Sequence, residues 1–325
     1  MSQHGALLRE ELPLERRFLD TPPFHHSRLL AERHGCDLAV PNGVGIGNVL
    51  TFTRLVDDYA RSLGRRIRLL TAPLRPLVGQ VPGEENYPHW KNNPFISEIV
   101  NAEHVAPGAI DLINREQDNM VTYSHVITNI LYQYGLKPSA LKPALHLSEQ
   151  EQMWAIERLS GFPRPVVCVH AGGTSSPLRS SSWFAENWRR LIERMEGHAS
   201  FIQIGRPDLD AKSLPAPLVQ TSLRELMAVI WASDAFVGFD SSPAHIATAF
   251  DVPAIVLWEV LRKSPIEEPH QPGFGASALT RWSYPQNANF MLLGERDHEI
   301  VEVICDRLQA TFDSRHYQRH PIWQV

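Results

Sequence analysis

Asp240, Ser241, Ser242 and His245 fall in one stretch, VGFDS running directly into SPAHIATAFDVPAIVLW (237–258), which sets a carboxylate, two hydroxyls and an imidazole where an apolar run meets a helix. Ser241 or Ser242 would cap that helix, and the unpaired amides of its first turn would offer donors to a diphosphate. Asp240 alone reads as a solvated cap and His245 alone as a packed or surface histidine; the whole string points to an anion site. VHAGGTSS (169–176) brings His170, two glycines and three hydroxyls to a strand's end, the place where open α/β sheets bind ligands. GVGIGN (43–48) is a third turn, in which Gly45 and Gly47 let a substrate approach the backbone. It is a poor dinucleotide fingerprint. Its third glycine comes one residue early for GxGxxG, the following strand RIRLLTAP ends without an acid for a ribose, and no GK[ST] ending is present.

The elements that must position these turns alternate between strand and helix. DLAVP (37–41), the glycine turn and a helix over 49–64 lead into the strand RIRLLTAP (66–73), a βαβ unit that requires parallel pairing. In that helix Leu50, Phe52, Leu55, Val56, Tyr59 and Leu63 recur at spacings of three and four, and Gly64 sits at the C-cap. Residues 74–119 read as a long surface loop, rich in proline and glycine, that enters a strand at 96–100. Residues 121–136 read as a helix, and 136–151 as an interdomain linker ending at a Ser148 cap. Helices are then predicted at 149–160, 183–196, 222–233, 242–250 and 295–312, with strands at 165–173, 200–205, 235–239 and 253–258. The expectation is an α/β chain of two Rossmann-like domains facing each other, residues 1–145 and 146–325. Residues 1–35 are an N-terminal extension with no assigned fold role.

The 325 residues suit two domains. Lysine and arginine total 31 against 36 acidic residues, so the net charge of −5 leaves no electrostatic footprint for nucleic acid. Three scattered cysteines encode neither a zinc knuckle nor a disulfide framework. The N-terminal MSQHGALLREELPLERR is charged where a secretion signal needs apolar residues, and no run is long enough to span a membrane. A cytoplasmic protein is expected.

Taken together, GVGIGNVLTFTRLVDDYA, VHAGGTSS, SSWFAENWRRLIERM and TSLRELMAVIWASDAFVGFDS with its continuation SPAHIATAFDVPAIVLW resemble the lipopolysaccharide heptosyltransferase family of GT-B glycosyltransferases, over about 38–73 and 165–258. The resemblance implies a GT-B fold with parallel sheets and an interdomain cleft. Its C-terminal domain would bind a nucleotide sugar, typically ADP-heptose, and its N-terminal domain a hydroxyl acceptor. It implies an inverting transfer with no metal and no cofactor. Thr174, Ser175, Ser241 and Ser242 match the family's phosphate-contacting turns, Asp240 its acidic position at the donor sugar, and His245 the helix histidine beside it. Gln203, Arg206 and Glu259 complete the donor group, and Gly45, Gly47 and His89 the acceptor side.

Two departures follow from the same comparison. The family's glycine turn continues into an aspartate, the expected base, where this chain has Asn48, and an amide is no base at neutral pH. Asp57 and Asp58, read as facing solvent, are weak substitutes; Glu84, Glu85, His89 and Glu259 are others. The family's basic residue before the WxxENW helix is Ser181 here, which leaves Arg179 or Arg206 for the diphosphate. The charge and the lack of a basic amphipathic N-terminal helix give little support to a lipid acceptor. A soluble acceptor therefore has comparable weight, and peripheral membrane contact stays open. Two alternatives remain: a nucleotide-sugar epimerase or hydrolase, and a catalytically inactive sugar-nucleotide-binding protein.

Overall fold

The computed structural model describes residues 25–41, 45–74, 86–105, 125–172, 185–205, 214–259, 281–292 and 297–314. In the N-terminal half the order is α1 (His25–Arg33), β1 (Leu38–Ala39), α2 (Ile46–Leu63), β2 (Ile67–Thr71), β3 (Ile96–Asn101), α3 (Ala102–Val105) and α4 (Val126–Tyr132). Its three strands form a parallel sheet in the order β1-β2-β3, with Leu38 opposite Leu69 and Leu70 opposite Val100. Strand alternation and helix period converge on one core, in which Leu38, Phe52, Leu55, Leu69 and Leu70 are wholly buried. Each such side chain contributes about 1.5–3 kcal/mol through burial.

The C-terminal half runs α5 (Glu149–Leu159), β4 (Val166–His170), α6 (Ala185–Arg194), β5 (Ser200–Ile204), β6 (Leu218–Val219), α7 (Leu223–Trp231), β7 (Ala235–Phe239), α8 (Ser242–Ala249), β8 (Ala254–Glu259), β9 (Ala288–Leu292) and, after one 3-10 turn, α9 (Ile300–Asp313). All six strands are parallel, ordered β6-β5-β4-β7-β8-β9. The chain leaves β4 outward to β5 and β6, then returns to β7 and continues the other way. The crevice beyond the C-terminal ends of β4 and β7 is therefore the topological switch point, where such sheets bind ligands. Both faces of the sheet are covered, as parallel pairing requires. Val166 and Cys168 pack with α5, α7 and α8, whereas Val167 and Val169 pack with α6 and α9.

Local signals act where the residues place them. Ser148 and Ser222 each form a capping box, with Glu151 and Glu225, and Gly64 closes α2 in the left-handed conformation at φ 63°. Three expectations need correction. Residues 25–33 do have a fold role: α1 packs on the first sheet through Leu30 and Ala31, and Ser27 donates to the Ala39 carbonyl at 2.7 Å. The 86–95 stretch is no surface loop, since Trp90 is 2% exposed and His89 and Asn93 are buried beside it. Asp57 and Asp58 do not face solvent. Asp57 accepts from Asn93 Nδ2 at 2.8 Å and lies 3.1 Å from His146 Nε2; Asp58 accepts from the Ser139 amide and hydroxyl at 2.8 and 2.6 Å. The cause is that α2 is enclosed on more than its apolar face: the 137–146 stretch lies along it, held by Arg54 donating to the Lys142 and Pro143 carbonyls at 2.9 and 3.4 Å.

The halves exchange core residues. Leu50 of α2 packs in the C-terminal core, and Tyr284 packs in the N-terminal one.

Candidate functional site

The site grows from the end of β7. Gly238 lies opposite His170 of β4, and a Cβ there would come within 3.1 Å of the His170 backbone carbonyl and 2.6 Å of the Phe236 ring tip, so glycine lets the two strands meet without displacing that ring. Asp240 follows, and Ser241 becomes the N-cap of α8 in extended conformation with Pro243 in the first turn. The Ser241 hydroxyl does not cap the helix as expected. It donates to the Phe239 carbonyl at 3.0 Å and lies 3.0 Å from His170 Nδ1, which bridges the switch point and leaves the first amides of α8 without a side-chain cap. Pro243 has no N–H, and the Ala244 and His245 amides donate to the Ser241 carbonyl at 3.0 and 3.4 Å, so among the described residues the Ser242 amide is the one that α8 leaves available to an anion.

His245, one turn into α8, is buried. Its Nδ1 lies 2.6 Å from the Tyr284 hydroxyl, and Trp282 meets its ring edge-on at 6.0 Å between centroids. Burial, aided by nearby His125, pushes its imidazole down to about 3, so it is neutral at physiological pH. On its other side stands Gly47. A Cβ at Gly47 would lie 3.2 Å from His245 Cδ2, 3.3 Å from Nε2 and 3.9 Å from the Ser242 amide nitrogen. The glycine turn and the start of α8 therefore abut, and two helix N-termini share one corner between the halves. Gly45 caps α2 from an exposed position, and Asn48 is half-buried in the same first turn.

Asp240 is half-buried, and burial pushes its carboxyl up to about 7. Among the described residues nothing hydrogen-bonds that carboxylate. Its charge is felt by Tyr284, whose phenol is raised by burial first and by Asp240 second.

Of the residues expected from the sequence, the structure brings Gly45, Gly47, Asn48, Asp240, Ser241, Ser242 and His245 to this corner. Gln203 is buried within β5, and its backbone amide donates to the Pro217 carbonyl. His89 is not placed to cap a cleft: it is 1% exposed, neither ring nitrogen is hydrogen-bonded among the described residues, and burial with the nearby Arg224 charge pushes it down to about 3. Glu259 ends β8, but its side chain lies outside the described residues, as do Glu84, Glu85, Thr174, Ser175, Arg179, Ser181 and Arg206. Sequence reasoning missed Tyr284, Trp282, His125 and Arg281, whose guanidinium lies 5.2 Å over the Trp282 ring. WSYP (282–285) carries no period or spacing signal, so nothing local marked it.

A family model described as glycosyltransferase family 9 (heptosyltransferase) matches residues 112–287, more than half of the chain. A search of curated proteins gives no match. The glycosyl transferase family 9 structure from Veillonella parvula DSM 2008 superposes with a TM-score of 0.56 at 13% identity, over 82% of this chain and 88% of that one. E. coli ADP-heptose lps heptosyltransferase II gives 0.55 at 15% identity, over 84% and 97%. E. coli heptosyltransferase WaaC with ADP gives 0.52 at 12%, over 84% and 99%. At such identities the likeness is one of fold, and that fold is GT-B. The match of the family model across the switch point and the α8 turn identifies the chain as a glycosyltransferase that belongs to family 9, the heptosyltransferase family.

Proposed function

We propose that this enzyme is an inverting, metal-independent glycosyltransferase that moves a sugar, heptose in the first instance, from ADP-heptose to a soluble hydroxyl acceptor in the cytoplasm. The acceptor is assigned to residues 1–145 and the donor to 146–325. The observation that carries this reading is the corner where Gly47 of α2 meets His245 and the Ser242 amide of α8. The Ser242 amide at a helix start, with adjacent hydroxyls, suits a diphosphate whose charge grows as it departs. The ADP-heptose and ADP in the names of two similar structures support the choice of donor. Among the described residues no helix is long and apolar enough to cross a membrane.

In this reading Asp240 is the base. His245 is neutral and its Nδ1 is engaged with Tyr284, and Asn48 has no basic lone pair; Asp240, raised to about 7, has the acidity a general base needs near neutral pH. It takes the acceptor hydroxyl proton, the oxygen forms a bond to the anomeric carbon, and the carbon–oxygen bond to the diphosphate breaks with its electron pair leaving on ADP. The Ser242 amide and His245 face that charge.

The test is ADP release from ADP-heptose with EDTA present, against a panel of sugar, peptide and glycerol acceptors, together with calorimetry of ADP binding. Acceptor-dependent release that survives EDTA supports the proposal; no ADP binding in any condition sinks it. Release from donor alone marks a hydrolase. Asn48 favours one second reading, a binding protein without transfer, which tight ADP-heptose binding with no turnover would establish.

A further inference from the structure

We propose that Tyr284 is a positioning residue: its hydroxyl donates to His245 Nδ1 and so commits the imidazole to the tautomer whose Nε2–H faces the corner where the α2 and α8 N-termini meet, as a donor to the departing diphosphate. This rests on the glycosyl-transfer reading.

Proton accounting fixes the direction of the bond. The phenol and the imidazole share one contact, 2.6 Å long, and both groups are buried. Among the described residues the Tyr284 hydroxyl has no other acceptor. Were His245 to donate instead, the phenolic proton would be left unpaired in the interior, which buried groups avoid. With the phenol donating, Nδ1 is spent as an acceptor and the ring's single proton must sit on Nε2. That nitrogen has no hydrogen bond among the described residues. It lies 3.3 Å from where a Cβ on Gly47 would stand, so its donor is aimed at the glycine turn and unspent.

The surroundings hold the phenol in this role. Tyr284 meets the His245 ring edge-on at 5.4 Å and 88°, while its own ring packs 4.8 Å from that of His125. His125 cannot compete for the phenolic proton through Nδ1, because that atom already accepts from the Ile127 amide at 3.2 Å. Behind Tyr284 the chain is anchored to both halves. Gln286 donates to the Leu141 carbonyl at 3.1 Å, Asn287 to the Thr248 hydroxyl at 2.8 Å, and Asn289 to the Tyr284 carbonyl at 3.1 Å. The device gives the site a neutral donor that cannot take the acceptor's proton, which separates the leaving-group role of His245 from the basic role of Asp240.

The test uses the full chain labelled with 15N-histidine, with His245→Gln to assign the signal. Nitrogen-detected spectra of the wild type should show His245 with the proton on Nε2 and a hydrogen-bonded, unprotonated Nδ1. In Tyr284→Phe, which keeps the ring packing, that signature should collapse to mixed tautomers, and kcat should fall about tenfold or more while the donor KM changes less than about twofold. A wild-type spectrum with the proton on Nδ1 overturns the inference whether or not the variant folds, as does an unchanged tautomer and kcat in a folded Tyr284→Phe. If the wild type shows the Nε2–H form yet fails to bind ADP, the glycosyl-transfer reading falls and the tyrosine–histidine arrangement stands.

Discussion

The guanidinium of Arg224 grips the carboxylate of Glu151 through two hydrogen bonds, 2.8 Å from Nε and 2.6 Å from Nη2, and the same arginine donates to the backbone carbonyls of Pro88 and His146 at 3.0 and 2.7 Å. One side chain of α7 thereby holds α5, the 86–95 turns and the connection between the halves. Burial acts to raise Glu151, but the hydrogen bonds from Arg224 and Ser148 outweigh it and bring it down to about 2. Its stabilising contribution is present above the unfolded value of about 4.3 and is lost only as pH falls toward 2. Arg224→Ala should cost about 2–3 kcal/mol, because it leaves the Pro88 and His146 carbonyls without this donor and Glu151 with only Asn92, Ser148 and the more distant Lys91. Arg224→Lys should recover only part, since an ammonium cannot supply the planar fork. Urea midpoints at pH 7.5 check both; a loss below about 1 kcal/mol for alanine would contradict the account.

Gly47→Ala separates stability from function. Alanine is the better helix former, by at most about 1 kcal/mol, which offsets part of the cost of the new contact, so the chain should stay folded with a melting temperature changed by only a few degrees. The added methyl would press on His245 at 3.2–3.3 Å and intrude on the corner between the helix starts. Expected is at least a tenfold weakening of ADP binding by calorimetry, on the order of 1.4 kcal/mol. Unchanged affinity would move the diphosphate elsewhere.

Asp240→Asn should lower kcat by about 10²–10⁴-fold while leaving the chain folded. With the carboxyl at about 7, wild-type kcat/KM should drop tenfold per pH unit below pH 7. Adding Asn48→Asp to Asp240→Asn should restore part of the rate and carry the acid limb to lower pH. A wild-type rate that stays flat from pH 8 to 5 would rule Asp240 out as the base.

Stability should fall on mild acidification. His89, His245 and His125 are held by burial at about 3, 3 and 4, against about 6.5 when unfolded. Below pH 6.5 the unfolded chain therefore binds more protons than the native one. Each histidine's contribution is complete above 6.5 and is lost as pH falls toward its folded value, at about 1.4 kcal/mol per unit. Asp240 opposes this: its raised carboxyl favours the folded state below about 3.9 and loses that advantage as pH rises to 7. Three groups against one leave a net loss of roughly 2 kcal/mol between pH 6 and 5. Urea titrations at those two values check it, and a midpoint independent of pH would refute the burial of the three rings.

The strands and capped helices were legible because each is a local pattern: Ser148 with Glu151, Ser222 with Glu225 and the β-branched run at 166–170 need only their neighbours. The corner formed by Gly47 and the 240–245 turn was legible as two turns, although nothing in either showed that they touch. Asp57 and Asp58 read as solvent-facing because charge on a helix usually is. Their partners Asn93, His146 and Ser139 are distant in the chain, and no periodicity reports them. Helix α1 escaped notice because little more than Leu30 and Ala31 marks its buried side. Tyr284 has meaning only through His245, and that contact is a property of the fold.

The exchange of core residues between the halves has a consequence for modularity. Tyr284 fills the first core although it is encoded after the second sheet's β8, and Leu50 does the reverse. A chimera that borrows its N-terminal half from a relative would inherit a hole where Tyr284 fits unless the 281–287 stretch travels with it. New acceptor preferences should arise more readily by substitution around the glycine turn than by shuffling whole halves.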